Sequence, residues 1–449
     1  MSRFPRVALG TVQPDADTQF VSWALLELLT RHACQTQHFF ARSSLAPCSG
    51  AITATGLASR HLDSWLMTPD LCHELFVRGA GGSELAIIEG PFDAAVPFGG
   101  GGSSLDTLCQ WLDLPRLVVL DTTRMDEGHL PARPQADALI LDRITSAAEH
   151  RRLSTSLESL WGIPVVGALE ELPALREAVR ALPAGSIAPP EVCLELGIDF
   201  ERFTQVDEIR RLADRRELPQ AVDGPSVGAV RRVRKTRTKV TVAVAYDEAF
   251  HGYFPDTLDL LELMGATVVD FSPLHDEQLP PGIDLVYIGC GRPDRHAETL
   301  ADNHCLMSAL RNHLCAGRRI YADGGGLAYL CQHLETSSGK FAPMVGVLPA
   351  IARLNQPFTP LEPVELTLAE RCWLGEPDGK LRGYLNSNWR LEPNGNLTSY
   401  FAEEAHKYDL VGRYQALGSR LQINFAAQEN FLRAFVEPVG VAAGAAIKG

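Results

Sequence analysis

Short apolar runs alternate with longer amphipathic stretches along almost the whole chain, and this alternation restricts the fold more than any other feature. Strands buried on both faces read as continuous apolar runs, whereas the helices covering them are apolar on one side only. The first half offers RVALGTV near residue 6, ELAIIEG ending at Gly90, RLVVLD ending at Asp121, ADALILD ending at Asp142 and IPVVGAL from residue 163. Amphipathic segments such as Phe20–Arg31 and Ser104–Leu112 lie between them. The pattern predicts mainly parallel sheets flanked by helices, an α/β fold. Several runs end in Glu-Gly or Asp, which places polar groups at the carboxyl edge, where open α/β sheets bind ligands.

The stretch DGPSVGAVRRVRKTRTK breaks this pattern with Gly, Pro and a run of basic residues, and reads as a solvated linker over 223–238. It divides the chain into domains at 1–222 and 239–449, in keeping with a total of 449 residues. The second half begins with KVTVAVAYD and continues with a helix over Pro255–Met264, the strands TVVDFS and IDLVYIGCG, and a helix over His296–Ala316. RRIYADG and a further helix follow, then a small mixed region rich in Asn, Tyr and Gly.

A net charge of −14 argues against broad binding to nucleic acid or to an anionic membrane, because both need a basic face. The ten cysteines form no CxxC pair, and the thirteen histidines fall into no HxH or HxxxH pattern, so no metal site is expected. Free thiols point to a reducing compartment. MSRFPRVALGTV lacks an extended apolar stretch and does not read as a signal peptide, and no apolar run approaches a membrane span of about 20 residues. A cytoplasmic protein is the expectation.

The order of the landmarks adds a family. RHLDSWLM at 60–67, LAIIEGPFD at 85–93, a GGGGSS loop, DLPRLVVLD and DALILDRITSAAEHRRL resemble the amidoligase half of cobyrinate a,c-diamide synthases. VAVAYDEAFHGYFPDTLDLLELMGATVVDFSPLHDEQLP, IGCGRPDRHAETLADN and IYADGGGLAYL resemble that family's glutaminase-like half. The resemblance implies a P-loop NTPase-like domain followed by a class I glutamine amidotransferase-like domain. It also implies ATP and Mg²⁺ as cofactors, a corrin precursor whose carboxylates are activated, and ammonia cut from glutamine by a Cys–His pair.

Against that pattern the residues themselves differ. A phosphate-binding loop needs glycines, a Lys for the phosphates and a Ser/Thr for the metal. After Gly10 the chain reads Thr11-Val12-Gln13-Pro14-Asp15-Ala16-Asp17-Thr18, with Asp17 in the Lys position and Pro14 lacking a donor. Thr18 and Glu89 stand where the family would place metal-associated groups, and FFARSSLAPCSG carries no acidic motif. The Gly99–Gly102 run, with no Lys, reads as a loop.

In the second half Gly324 stands in the nucleophile's position, while Gln422 and Asn424 stand where the histidines belong. Neither amide takes a proton from a thiol near neutral pH. Cys331, seven residues on, is expected inside the following helix as a core thiol. Gly289 and Gly291 resemble an oxyanion-binding loop, and Arg60, Asp63 and Trp65 match the segment that flanks the tetrapyrrole site.

The expectation is a pseudoenzyme to which no cofactor is assigned. Its partner would be a corrinoid or other tetrapyrrole, an active homologue, or a second copy in a homodimer. The alternative is a divergent ATP-dependent amidoligase using free ammonia or an external glutaminase.

Overall fold

In the computed structural model, residues 4–45, 48–96, 101–125, 132–182, 186–219, 239–336, 338–355 and 361–437 are described, and the chain forms two compact units, Met1–Gly228 and Ala229–Gly449. The linker expected over 223–238 lies outside the described residues. The first unit holds a seven-stranded sheet in the order Arg60–His61, Thr36–Phe40, Leu85–Glu89, Arg6–Thr11, Arg116–Asp121, Ala138–Ile144, Val165–Glu170. Every pairing in it is parallel. The strand order turns at Arg6–Thr11, so the loop after it, Glu89 and Asp121 gather at one carboxyl edge.

The helix Gln19–Arg31 follows that loop and buries Phe20, Val21, Trp23, Leu25, Leu28 and Leu29 among its core residues. Six residues of this kind, each contributing about 1.5–3 kcal/mol when fully buried, hold the helix on the sheet far more firmly than its intrinsic propensity does. At the opposite edge of the same strand Arg6 is fully buried. Its Nε donates to Leu112 O at 2.7 Å, its Nη1 to Phe4 O and Arg216 O, and its Nη2 to Asp113 O and Glu217 O.

The second unit holds a seven-stranded sheet in the order Thr267–Phe271, Thr241–Ala245, Leu285–Ile288, Arg319–Asp323, Ala416–Ser419, Leu410–Arg413, Thr398–Ser399. The first five strands run parallel, and the last two pairings, of Leu410–Arg413 with Ala416–Ser419 and with Thr398–Ser399, are antiparallel. Among the described residues three smaller sheets complete the unit, one built on Leu348–Leu354, one on Glu362–Thr367 with Lys380–Leu385, and one pairing Phe250–Gly252 with Cys290–Gly291.

Two expectations are corrected here. The helix read over His296–Ala316 is two helices, Ala297–Asp302 and His304–Cys315. Asn303 separates them because its Oδ1 caps Leu306 N at 3.2 Å while its Nδ2 donates to Pro273 O and Asp276 O. Cys331 is not inside a helix: Gly325–Leu330 ends before it, and Cys331 opens the strand Cys331–Glu335, which pairs with Leu348–Leu354. It is a core thiol all the same, fully buried. Among the described residues no helix is long and apolar enough to cross a membrane.

Candidate functional site

At the carboxyl edge of the first unit, Gly10 pairs in register with Val118 and packs so closely on Gly90 that a Cβ would lie 2.1 Å from Gly90 O. The loop beyond it is bound back onto the fold. Gln13 Oε1 accepts from Asp121 N at 2.7 Å and Gln13 Nε2 donates to Asp121 O at 3.2 Å. Arg124 donates to Pro14 O and to Asp15 O, each at 2.8 Å, and approaches Asp121 Oδ2 at 3.4 Å. Asp15 sits at φ 57°, and Asp17 is exposed, its Oδ1 accepting from Gln19 N at 2.9 Å. The loop therefore turns two carbonyl oxygens toward an arginine and two carboxylates toward its rim.

Thr18 is the N-cap of the helix, but its hydroxyl makes no capping bond and instead donates to Glu89 Oε1 at 3.2 Å. Glu89 Oε2 accepts from Ser22 Oγ at 2.6 Å and meets His38 Nε2 at 2.9 Å, while His38 Nδ1 meets Ser59 Oγ at 2.9 Å. Burial opposes the Glu89 charge, yet hydrogen bonds from His38, Ser22 and Thr18 outweigh it and hold the carboxyl below its ordinary value. Burial, with His38 nearby, pushes the neighbouring His61 down to about 3. These residues do not fit a magnesium polyphosphate. Both Glu89 oxygens already serve protein donors, no lysine among the described residues of this unit faces the loop, and Asp15 and Asp17 would repel the phosphates.

In the second unit, Leu285–Ile288 lies beside Arg319–Asp323 with Ile288 opposite Ala322, which brings the loop 289–291 against the turn at Gly324. Gly324 sits at φ 52° and ψ −112° between that strand and the helix Gly325–Leu330, and its N–H donates to Ser419 O at 2.9 Å. A Cβ at this position would lie 2.7 Å from Cys290 Sγ and 3.7 Å from Asn386 Nδ2. The thiol of Cys290 thus reaches from the neighbouring loop into the space a side chain at 324 would enter. It donates to Asp323 Oδ1 at 3.2 Å, and Tyr287 OH donates to Asp323 Oδ2 at 3.1 Å.

Burial pushes the Cys290 thiol well up, and Asp323 adds to the shift. Burial likewise raises Asp323 to about 7, although the bonds from Cys290 and Tyr287 pull the other way. The unfolded carboxyl titrates near 3.8, so between that pH and about 7 the folded chain holds a proton that the unfolded chain has lost. Stability is therefore fullest at the acid end of this window and declines as pH rises through it. Asp323→Asn stays neutral throughout. It is expected to be more stable than the parent by about 2 kcal/mol at pH 8, with the difference closing toward pH 4 in urea titrations. An equal difference at both pH values would refute the assignment.

Gly289 N donates to Tyr253 OH at 2.9 Å, so this N–H already has a protein acceptor, and Gly291 lies in a two-residue strand opposite Phe250. Gln422 pairs with Tyr384, and Asn424 is fully buried, its Oδ1 accepting from Ala426 N at 3.2 Å and meeting Thr257 Oγ1 at 3.5 Å. In the first unit Asp63 accepts from Ser43 N, Trp65 N and Leu66 N, which gives this carboxylate a turn to hold. Arg60 opens the edge strand opposite Phe39, and Trp65 is half-buried. Gly99 and Gly100 lie outside the described residues. Among the described residues no cluster of three His, Cys, Asp or Glu side chains is placed to hold a metal.

Sequence reasoning missed four residues of these edges. Cys290 stood between two glycines on a loop next to the turn, and that adjacency was the available signal. Asn386, His38 and Arg124 carried none.

Residues 241–381 match the CobB/CobQ-like glutamine amidotransferase domain. The chain is similar to curated proteins named cobyrinate a,c-diamide synthase. It is 28% identical to that of Salmonella typhimurium over 381 residues, 81% of each chain. It is 28% identical to that of Syntrophotalea carbinolica over 369 residues, 78% of each. It is 26% identical to that of Leptospira interrogans serovar copenhageni over 458 residues, 97% of this chain and 98% of that one. The likeness to proteins named cobyrinate a,c-diamide synthase runs through both units and nearly the full length of these relatives.

Proposed function

We propose that this chain is a non-catalytic member of the cobyrinate a,c-diamide synthase family, a pseudoenzyme that keeps the two-unit frame for binding a tetrapyrrole or a partner protein. The observation that carries the reading is that the chain's own groups occupy both reaction centres. His38, Ser22 and Thr18 take the oxygens of Glu89, and the Cys290 thiol takes the space above Gly324. A nucleophile supplied at 324 would need a side chain that glycine lacks, and Gln422 and Asn424 offer no base. The retained segment around Arg60, Asp63 and Trp65 is the proposed ligand-facing part of the first unit, where a guanidinium and an indole suit a planar, carboxylate-bearing ring.

A second reading, a divergent amidoligase supplied with ammonia, draws on the Thr18–Glu89 contact, which persists at the head of the helix. One assay separates the two: Mg-ATP, cobyrinate and free ammonia, followed for ADP and for the mass of the corrinoid. No ADP above the blank and no mass gain is the expected result. An amidated product would overturn the pseudoenzyme reading and require Asp15 and Asp17 to work with the metal rather than against the phosphates.

A further inference from the structure

We infer that the second unit carries, at the amino edge of its main sheet, a binding site for a small aromatic anion built around Arg319 and Trp373. Arg319 opens the strand whose other end bears Asp323, so the site lies about 13 Å of strand away from the turn at Gly324. The inference goes beyond the pseudoenzyme reading and stands whether or not the chain turns over ATP or glutamine. Two cavities, of about 880 and 370 Å³, share Arg319 and Glu437 as wall residues. The larger has the size that encloses a small organic ligand.

The walls select both the ring and its charge. Trp373, Tyr400, Tyr414 and Phe431 line the larger cavity, and Tyr414 is 73% exposed. The indole of Trp373 is fixed by its Nε1, which donates to Gln415 O at 3.1 Å, and the Arg319 guanidinium lies 5.3 Å from the ring centroid. Arg319 Nη1 donates to Ala434 O at 2.9 Å and to Glu437 O at 2.8 Å, whereas among the described residues Nε and Nη2 have no acceptor. The other cations of this wall are neutralised: Arg371 pairs with Glu376 and Lys380 with Glu365, each at 3.0 Å. Arg319 forms no such pair among the described residues. Burial pushes its guanidinium down, and the Glu437 charge offsets only part of that. A half-buried guanidinium short of acceptors gains from a ligand carboxylate, while the indole beside it gains from an aromatic ring.

Benzoylbenzoate and benzoylbenzamide form a matched probe pair, alike in both rings and different in charge, and the excited ketone of each bonds to neighbouring C–H groups on irradiation. In equilibrium dialysis of the full-length protein, the Kd of the benzoate should lie about tenfold below that of the amide, the effect of one charge-assisted hydrogen bond. Peptide mass spectrometry after irradiation should find benzoylbenzoate on the peptides that carry Trp373 and Phe431. Arg319→Gln should bring the two Kd values together. Glu437→Gln removes an exposed carboxylate and keeps the carbonyl that accepts from Nη1. It should tighten the benzoate by about threefold and leave the amide unchanged.

A benzoate that binds no better than the amide would overturn the inference, as would label confined to peptides remote from Trp373 or an anion preference unaltered in Glu437→Gln. Should Arg319→Gln not fold, the preference and the labelled positions in the parent protein, with the response of Glu437→Gln, decide without it. Ammonia released from glutamine would sink the pseudoenzyme reading alone, because neither the dialysis nor the labelling depends on turnover.

Discussion

Gly324→Cys is expected to destabilise the second unit by about 4 kcal/mol, the cost of overpacking added to that of a non-glycine residue in a sparsely populated backbone region. The new Cβ would fall 2.7 Å from Cys290 Sγ, at a residue whose φ is 52°. Cys290→Gly removes the obstructing thiol and by itself costs about 1–2 kcal/mol through the cavity it leaves. Combined in one chain, the two substitutions should relieve the overlap while the backbone strain persists. The double variant is then more stable than the sum of the singles by about 2 kcal/mol, a coupling that a double-mutant cycle in urea reads directly. Additive losses would mean that the thiol does not occupy the turn.

Arg176→Met should cost the first unit about 4 kcal/mol, because it strands a buried carboxylate. Arg176 and Asp142 are each 1% exposed and form an ion pair; the guanidinium also lies 4.5 Å from the Phe20 ring centroid and donates to Glu171 O. Burial raises Asp142 to about 6 even with Arg176 pulling it down. Without Arg176 the carboxyl keeps the backbone N–H of Arg143 at 3.0 Å and its guanidinium at 3.9 Å, and would take up a proton well above its ordinary value. The loss in Arg176→Met is therefore larger at pH 8 than at pH 5. Asp142→Leu in the same chain should restore most of it, since a well-packed apolar pair does as well as a buried ion pair. Equal losses at both pH values, with no recovery in the double variant, would reject the account.

Apolar periodicity carried most of the architecture: the runs ending at Gly90, Asp121 and Asp142 are the strands Leu85–Glu89, Arg116–Asp121 and Ala138–Ile144. It failed where a single side chain competes with the helix backbone, as at Asn303, and where a short helix gives way at once to a strand, as at Cys331. Glu89 was legible as a strand-end acid because its position follows from its own segment. His38 was not, because a histidine in the middle of an apolar strand looks like core until its neighbour is known. Cys290 poses the same difficulty more sharply. A chain pattern identifies strands but not which loops become neighbours, and the thiol's meaning lies entirely in its distance to a glycine 34 positions on.

The buried guanidinium of Arg6 links the beginning of the first unit to its end. Two of its five carbonyl partners, Arg216 O and Glu217 O, belong to the last described segment of that unit. As the chain leaves the ribosome, Arg6 emerges early, but its hydrogen bonds cannot be complete until about two hundred further residues have followed. Until then, closing the sheet would bury a charged donor without its full set of acceptors, which is strongly unfavourable. The guanidinium thus times the closure of the amino-terminal half to the arrival of residues 216 and 217, before the second half has begun to appear.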